Sequence, residues 1–192
     1  MSTVTSSPLR DRLVQTGVEL LEEEGLGNLT LRAITRRAGV SHGAPRRYFP
    51  THNSLLAAIA STGLEDLASR LQQGEADRRR GATQPEELLT EAALSYLEFA
   101  AEHPGMFELL FRHDLLEGAG GNLRSRSLPL FQHFADLIEQ ADPGSTDARD
   151  RAIALWTNIH GLATLRATRA LDLLGTNDLT PLVKHVVQVH LS

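Results

Sequence analysis

The sequence contains no cysteine, and this absence excludes disulfide bonds, thiolate metal sites and cysteine nucleophiles. It also has no apolar run approaching the length of a membrane-spanning helix, and its first residues lack the apolar core of a signal peptide. Apolar residues make up 41% and charged residues 22% of the chain, which are ordinary values for a globular protein. We therefore expect a soluble, cytoplasmic protein that does not enter a membrane.

Sequence motifs of catalysis and metal binding are missing too. There is no nucleophile elbow, no Walker-type phosphate loop and no pair of carboxylates with a credible partner. Of the eight histidines, His185 and His190 are five positions apart, which is more than one helical turn. Four others would need tertiary folding to come together: His103, His113, His133 and His160. We predict no catalytic residue, no metal ion and no cofactor.

The charge is unevenly distributed along an acidic chain of net charge −5. Residues 1–55 carry seven arginines and five acidic residues, for a net +2, whereas the rest carries twelve basic and nineteen acidic residues, for a net −7. Five arginines and no acid lie between Arg32 and Tyr48. Such a patch suits binding to DNA phosphates, although a solvated arginine face on a helical bundle is the alternative.

Residues 30–55 read as two short helices joined by a tight turn. Thr30 is a suitable N-cap, and Gly39 follows the helix where a left-handed residue is usual. We predict that Ser41 caps a second helix of about two turns, which Pro50 ends. A helix, a glycine turn and a short helix are the arrangement that places a second helix in the major groove of DNA.

The order of these residues resembles the N-terminal DNA-binding domain of the TetR family of transcriptional regulators. The residues that carry the resemblance are Leu29, Thr30, Ile34, Ala38, Gly39, Val40, Ser41, Gly43, Tyr48, Phe49 and Leu55. The family commonly has tyrosine where this chain has Arg46, and lysine where it has His52, and both usually contact phosphate. His52 is mostly neutral at pH 7 and so contributes less to such a contact.

The candidate DNA-binding residues divide by role. We expect phosphate contacts from helix starts and from polar or basic side chains, close approach at small residues, and contacts with base edges from long side chains on the second helix. The residues expected to contact phosphates are Thr30, Arg32, Ser41, Tyr48 and His52. The small residues are Gly43 and Ala44, and the base-reading residues are His42, Arg46 and Arg47.

Farther along, Trp156-x3-His160-Gly161 and the segment 103–107 resemble the C-terminal ligand-binding domain of one TetR subgroup. The resemblance implies a small-molecule pocket among the middle helices, and a filled core is the alternative. The candidate lining residues are Tyr96, Met106, Phe107, Leu110, Phe111, Phe131, Phe134 and Trp156, with Asn158 and His160 as polar groups.

The same resemblance implies a dimer interface on the last two helices. A recognition helix of two turns reads few bases, so paired half-sites and a two-fold dimer are expected. The candidate interface residues are Leu162, Leu165, Leu182, Val183, Val186, Val187 and Val189. The alternative is that the last stripe closes the core of a monomer.

No segment alternates with the two-residue period of a strand, so we predict an all-α chain of about nine helices. A three-helix helix-turn-helix domain is expected in residues 1–55, followed by a C-terminal helical bundle for ligand binding and dimerisation in residues 56–192. A helix from Thr51 to about Gln73 precedes a break over residues 74–84, and Thr83 caps the next helix. We interpret the arginines at 78–80 as part of a solvated linker, with a second DNA contact as the alternative.

The predicted function is sequence-specific transcriptional regulation, expected to be repression relieved when a small-molecule effector releases a palindromic operator. The expected partners are double-stranded DNA, a second copy of the chain and that effector. The alternatives are a metal-responsive helical regulator, a DNA-binding protein without a ligand and a purely structural helical module.

Overall fold

A computed structural model describes residues 7–78, 84–120, 122–143, 146–175 and 178–191. Within these ranges the chain forms nine α-helices and three 3₁₀ turns, with no strand, so the all-α prediction is confirmed. The α-helices are α1 Pro8–Glu24, α2 Leu31–Arg37, α3 His52–Arg78, α4 Pro85–Glu102, α5 Pro104–Leu110, α6 His113–Leu116, α7 Leu123–Ala141, α8 Ala148–Ala167 and α9 Thr180–Leu191. The 3₁₀ turns are Leu26–Asn28, Ala44–Arg47 and Ala170–Leu174. None of the described helices is long and apolar enough to cross a membrane.

The first compact unit combines residues 1–64 with residues 105–123. Its fully buried side chains come from α1, α2 and α3 and include Leu13, Leu21, Ile34, Leu55, Leu56 and Ile59. Glycine allows close packing here, since a Cβ added to Gly17 would lie 2.3 Å from Ile59 Cδ1. At the start of α5, the Glu22 carboxylate accepts hydrogen bonds from the backbone N–H groups of Gly105 and Met106 at 3.3 and 3.1 Å. The first unit is therefore assembled from segments that are distant in sequence.

The second compact unit combines residues 65–104 with residues 124–192. Helices α4, α8 and α9 pack on one another in this unit. The fully buried side chains include Leu89, Phe99, Leu137, Ile138, Leu155, Val183 and Val187. Because α5 and α6 group with the N-terminal helices, neither unit is a continuous stretch of chain. The division into residues 1–55 and 56–192 stays a proposal.

Two predicted helix ends are wrong. Helix α3 continues to Arg78 and not only to Gln73, so the predicted break begins later; Thr83 and the arginines at 79 and 80 lie outside the described residues. The apolar stripe from Ile153 to Leu165 predicts a helix that ends near Gly175. Helix α8 instead ends at Ala167, because Arg169 adopts a left-handed φ of 60° that an α-helix cannot contain. In both places the apolar pattern alone was too weak to define the end of the helix.

Candidate functional site

The turn between α2 and the next element has the predicted geometry. The Thr30 side chain accepts a hydrogen bond from the Ala33 N–H at 3.2 Å, as an N-cap does. Gly39 has a φ of 65°, and its N–H bonds to the Arg36 carbonyl at 3.2 Å. Thr30 and Gly39 are therefore confirmed as the start and stop signals of α2.

The predicted second helix is shorter than expected. Instead of two α-helical turns capped by Ser41, the chain forms a single 3₁₀ turn, Ala44–Arg47, with Gly43 at the N-cap position and no side-chain cap. The N–H groups of Tyr48 and Phe49 both bond to the Pro45 carbonyl, at 2.9 and 2.8 Å. Pro50 disfavours the α conformation at the residue before it, which stops the helix at this point.

Two buried residues anchor this turn and leave its basic side chains outside. Pro45 and Phe49 are buried, whereas Arg46 and Arg47 are exposed. The other candidates are also at the surface, with Thr30, Arg32, Ser41, His42 and Gly43 exposed and Ala44 and Tyr48 half-buried. Seven of the ten DNA-binding candidates are therefore exposed on the first unit, and Ala44, Tyr48 and His52 are half-buried.

His52 is placed differently from the other candidates. It is half-buried, and its Nε2 atom is enclosed without a hydrogen-bond partner in the part of the chain that the structure describes. Nε2 of His52 is therefore not accessible to a phosphate in this conformation.

The arginines of α2 differ in their pairing. The Arg37 guanidinium donates two hydrogen bonds to the Glu23 carboxylate of α1, at 2.5 and 2.6 Å. This hydrogen-bonded pair lowers the pKa of Glu23 and raises the pKa of Arg37. Arg32 and Arg36 form no such pair with another described residue, so their charges are available to a polyanion.

In the second unit, four candidate ligand residues form one polar-aromatic cluster. Tyr96 Oη and His160 Nδ1 are 2.9 Å apart, and the Trp156 ring stacks on the His160 ring with centroids 5.3 Å apart and planes 22° apart. Phe131 meets Trp156 edge-on at 6.5 Å. We call Tyr96, Phe131, Trp156 and His160 the aromatic cluster.

Burial changes the acid–base properties of this cluster. Desolvation raises the pKa of Tyr96 above its ordinary value, although a hydrogen bond with Trp156 acts in the opposite direction. Desolvation also lowers the pKa of His160. At pH 7 the cluster therefore contains a neutral phenol and a neutral imidazole, both able to form hydrogen bonds.

The remaining ligand candidates lie elsewhere. Asn158 is exposed, and its amide bonds to the Ala154 carbonyl and to His190, because a residue two positions from Trp156 faces the other side of a helix. Phe134 is buried in the second unit. The last four belong to the first unit, with Met106 and Phe107 buried and Leu110 and Phe111 half-buried.

The candidate dimer residues differ in exposure. Val183 and Val187 have no exposed surface within the second unit, and Leu162 and Val186 are half-buried. Leu165, Leu182 and Val189 are 44%, 38% and 57% exposed. Only the outer part of the predicted stripe is therefore available to a second chain. Metal-ligand candidates do not converge: among the described residues, no three His, Asp or Glu side chains are placed to hold a metal ion.

Sequence comparison finds two families along the chain. The family described as bacterial regulatory proteins, tetR family, matches residues 13–59, and the tetracyclin repressor-like C-terminal domain matches residues 89–190. These matches do not identify the Trp-x3-His-Gly subgroup, which stays a prediction.

Among curated relatives, the nucleoid occlusion factor SlmA of Marinobacter nauticus is 29% identical over 135 residues, which cover 69% of this chain and 65% of SlmA. SlmA of Glaesserella parasuis is 34% identical over 98 residues, which cover 50% and 46% of the two chains. The matched part therefore spans less than two thirds of either relative.

Solved structures share the fold. A Rhodococcus sp. RHA1 protein of unknown function superposes with a TM-score of 0.79 at 24% identity, over 100% of this chain and 97% of the other. The structure of BioQ with its double-stranded DNA operator gives a TM-score of 0.64 at 17% identity, over 94% and 98% of the two chains.

Proposed function

Because the chain belongs to the TetR family of bacterial regulatory proteins, we propose that it is a transcriptional regulator that binds a specific DNA sequence. The observation that carries the proposal is the surface turn 44–47. Its Pro45 and the following Phe49 are buried and anchor the turn, whereas its Arg46 and Arg47 are exposed. Two arginines fixed on a short rigid element are suited to reading guanine edges in the major groove.

The first unit binds DNA through two kinds of contact, one with phosphates and one with base edges. Arg32 and Arg36 on α2 neutralise phosphates, and this term is independent of sequence and sensitive to salt. Arg46 and Arg47 supply the base contacts that distinguish one sequence from another. Arg37 is paired with Glu23, and this pair links α2 to α1.

Specific recognition further requires two copies of the chain. A single 3₁₀ turn reaches fewer bases than the two helical turns expected from the sequence, which strengthens the need for a second half-site. We assign the interface to the exposed apolar side chains of α8 and α9, namely Leu165, Leu182 and Val189. A two-fold dimer predicts a palindromic operator.

The effector of this regulator binds at the aromatic cluster. The stacked Trp156 and His160 rings suit a flat aromatic molecule, and the neutral His160 and Tyr96 suit a neutral oxygen or nitrogen group on it. The effector class is therefore a planar, uncharged aromatic compound. It relieves repression only to the extent that it prefers the conformation that does not bind DNA.

Selection of bound sequences from a random pool of double-stranded DNA tests the central proposal. We expect enrichment of one motif with two symmetric half-sites. The matched control is the variant in which both Arg46 and Arg47 are changed to alanine, which should retain salt-sensitive binding without enriching that motif. If the wild-type protein enriches no motif from the DNA pool after repeated rounds of selection, the proposal is contradicted.

A further inference from the structure

The serine that precedes α1 does not cap its own helix. Ser7 occupies the N-cap position with extended backbone angles, φ −80° and ψ 134°, yet its side chain forms no cap hydrogen bond. Its Oγ lies instead 2.9 Å from Tyr48 Oη, 41 residues away in sequence. Serine at this position normally satisfies an amide of the helix start, so its hydroxyl is used here for a different purpose.

Tyr48, the partner of Ser7, ends the exposed turn. Its N–H bonds to the Pro45 carbonyl at 2.9 Å, which fixes its backbone to the turn. Its ring lies under the Arg47 guanidinium, with the Arg47 Cζ atom 5.9 Å from the ring centroid. Tyr48 therefore joins Ser7 on one side to a candidate base-reading arginine on the other.

The Ser7 end of this connection is rigid. Pro8 at the first helical position restricts the backbone, and the Asp11 N–H bonds to the Ser7 carbonyl at 3.1 Å. One turn farther along α1, the Arg10 guanidinium lies over the ring of Phe49 at 5.5 Å. Helix α1 thus contacts two consecutive aromatic residues at the end of the turn, and it is itself packed into the core of the first unit.

We propose that Ser7 is a positioning residue that sets the base preference of the turn through Tyr48 and Arg47. The hydrogen bond holds the Tyr48 ring, and the ring limits the directions open to the flexible Arg47 side chain. Two parallel hydrogen bonds to guanine require a defined guanidinium plane, so restricting this plane favours one base over others. The inference rests on the proposed function, because it concerns which bases the protein reads.

A purely structural role for the bond makes different predictions from a positioning role. A bond that only stabilises the turn would lower the unfolding temperature when removed and would weaken binding to all DNA sequences equally. A bond that positions Arg47 acts on discrimination at one base pair. Because Ser7 is not a candidate phosphate contact, Ser7→Ala should then leave binding to scrambled DNA almost unchanged, since phosphate contacts dominate that binding.

The experiment measures base preference by sequence selection, followed by titration with the selected DNA and with single-base variants. Arg47→Ala identifies the base pair that Arg47 reads, with an expected loss of discrimination of about five- to a hundredfold. Ser7→Ala and Tyr48→Phe each remove the hydrogen bond from one side and should reduce discrimination at that same pair about threefold or more. Ser7→Thr keeps the hydroxyl and should restore the wild-type preference.

The double variant Ser7→Ala with Arg47→Ala completes the test. It should match Arg47→Ala alone, because Ser7 acts only through Arg47. If Ser7→Ala and Tyr48→Phe both select the wild-type motif with unchanged discrimination, the positioning role is overturned but the proposed function is not. The same conclusion follows if these variants have a lower unfolding temperature and unchanged discrimination. A wild-type protein that selects no motif overturns the proposed function, and the positioning role with it.

Discussion

Tyr96 and His160 form a hydrogen bond across 64 positions of sequence, with 2.9 Å between Tyr96 Oη and His160 Nδ1. Tyr96 is buried on α4, and His160 is half-buried on α8 beside Trp156. The bond links two helices of the second unit through groups that both stay neutral at pH 7, because burial raises the pKa of Tyr96 and lowers the pKa of His160. Its consequences can be measured without knowing the effector.

The first prediction concerns the dependence of stability on pH. Because burial lowers the pKa of His160 in the folded state, the unfolded chain takes up a proton at higher pH than the folded chain does. The contribution of His160 is therefore complete above its ordinary value of 6.5 and is lost as the pH falls through the lower folded-state pKa. Urea unfolding should show wild type losing stability relative to His160→Gln as the pH falls below about 6.5, the ordinary pKa of histidine. Parallel pH profiles for the two proteins would contradict this.

The second prediction compares the two tyrosines of the chain. Tyr96→Phe removes a buried hydroxyl and leaves His160 Nδ1 without that partner, so it should lower the free energy of unfolding by about 1–3 kcal/mol. Tyr48→Phe is the matched control: Tyr48 is half-buried, so water can replace its partner and the cost should be smaller. Chemical denaturation followed by circular dichroism measures both changes. Equal losses would mean that burial of the Tyr96 hydroxyl has no energetic effect.

The third prediction separates the arginines of α2. Arg32→Ala should weaken binding to all DNA sequences and reduce the slope of log affinity against log salt by about one unit. Arg37→Ala removes a side chain that is already paired with Glu23, so it should leave the salt slope unchanged. Titrations at several salt concentrations, using selected and scrambled DNA, measure both effects. The assignment fails if Arg37→Ala changes the slope as much as Arg32→Ala does.

The fourth prediction concerns the dimer. Val189 is 57% exposed on α9, and Val189→Glu should place a charge in each half of the proposed two-fold interface and shift the protein toward monomer. Leu173→Glu, at a side chain that is 89% exposed between α8 and α9, is the control and should leave the dimer intact. Sedimentation measures both. A folded Val189→Glu protein that remains dimeric would place the interface on a different surface.

The fifth prediction uses the single tryptophan of the chain. A planar, uncharged aromatic effector that stacks in the aromatic cluster should quench Trp156 emission and release the selected DNA over the same concentration range. His160→Ala should weaken both responses together. Compounds that quench Trp156 at saturation without lowering DNA affinity would contradict the coupling between effector and operator.

Local sequence was sufficient to predict the helical class and the turn after α2. The Thr30 cap and the left-handed Gly39 follow from interactions between residues at most four positions apart, and such interactions do not depend on the rest of the fold. The shorter element at Ala44–Arg47 was not predicted, although Pro45 and Pro50 were visible signals. Pro45 and Pro50 restrict the backbone at both ends of this segment, and the apolar and cap pattern does not report that restriction.

Tertiary structure decided which side chains meet. Ser7 contacts Tyr48 and Arg37 contacts Glu23 only because α1 packs against the helix-turn-helix elements, and no spacing in the sequence encodes these pairs. The valine stripe of α9 shows the same limit. Periodicity identified the apolar positions, but only the packing of α9 against α4 and α8 buries Val183 and Val187 and leaves Val189 exposed. A helical pattern specifies which face is apolar, whereas burial depends on which neighbour covers each part of that face.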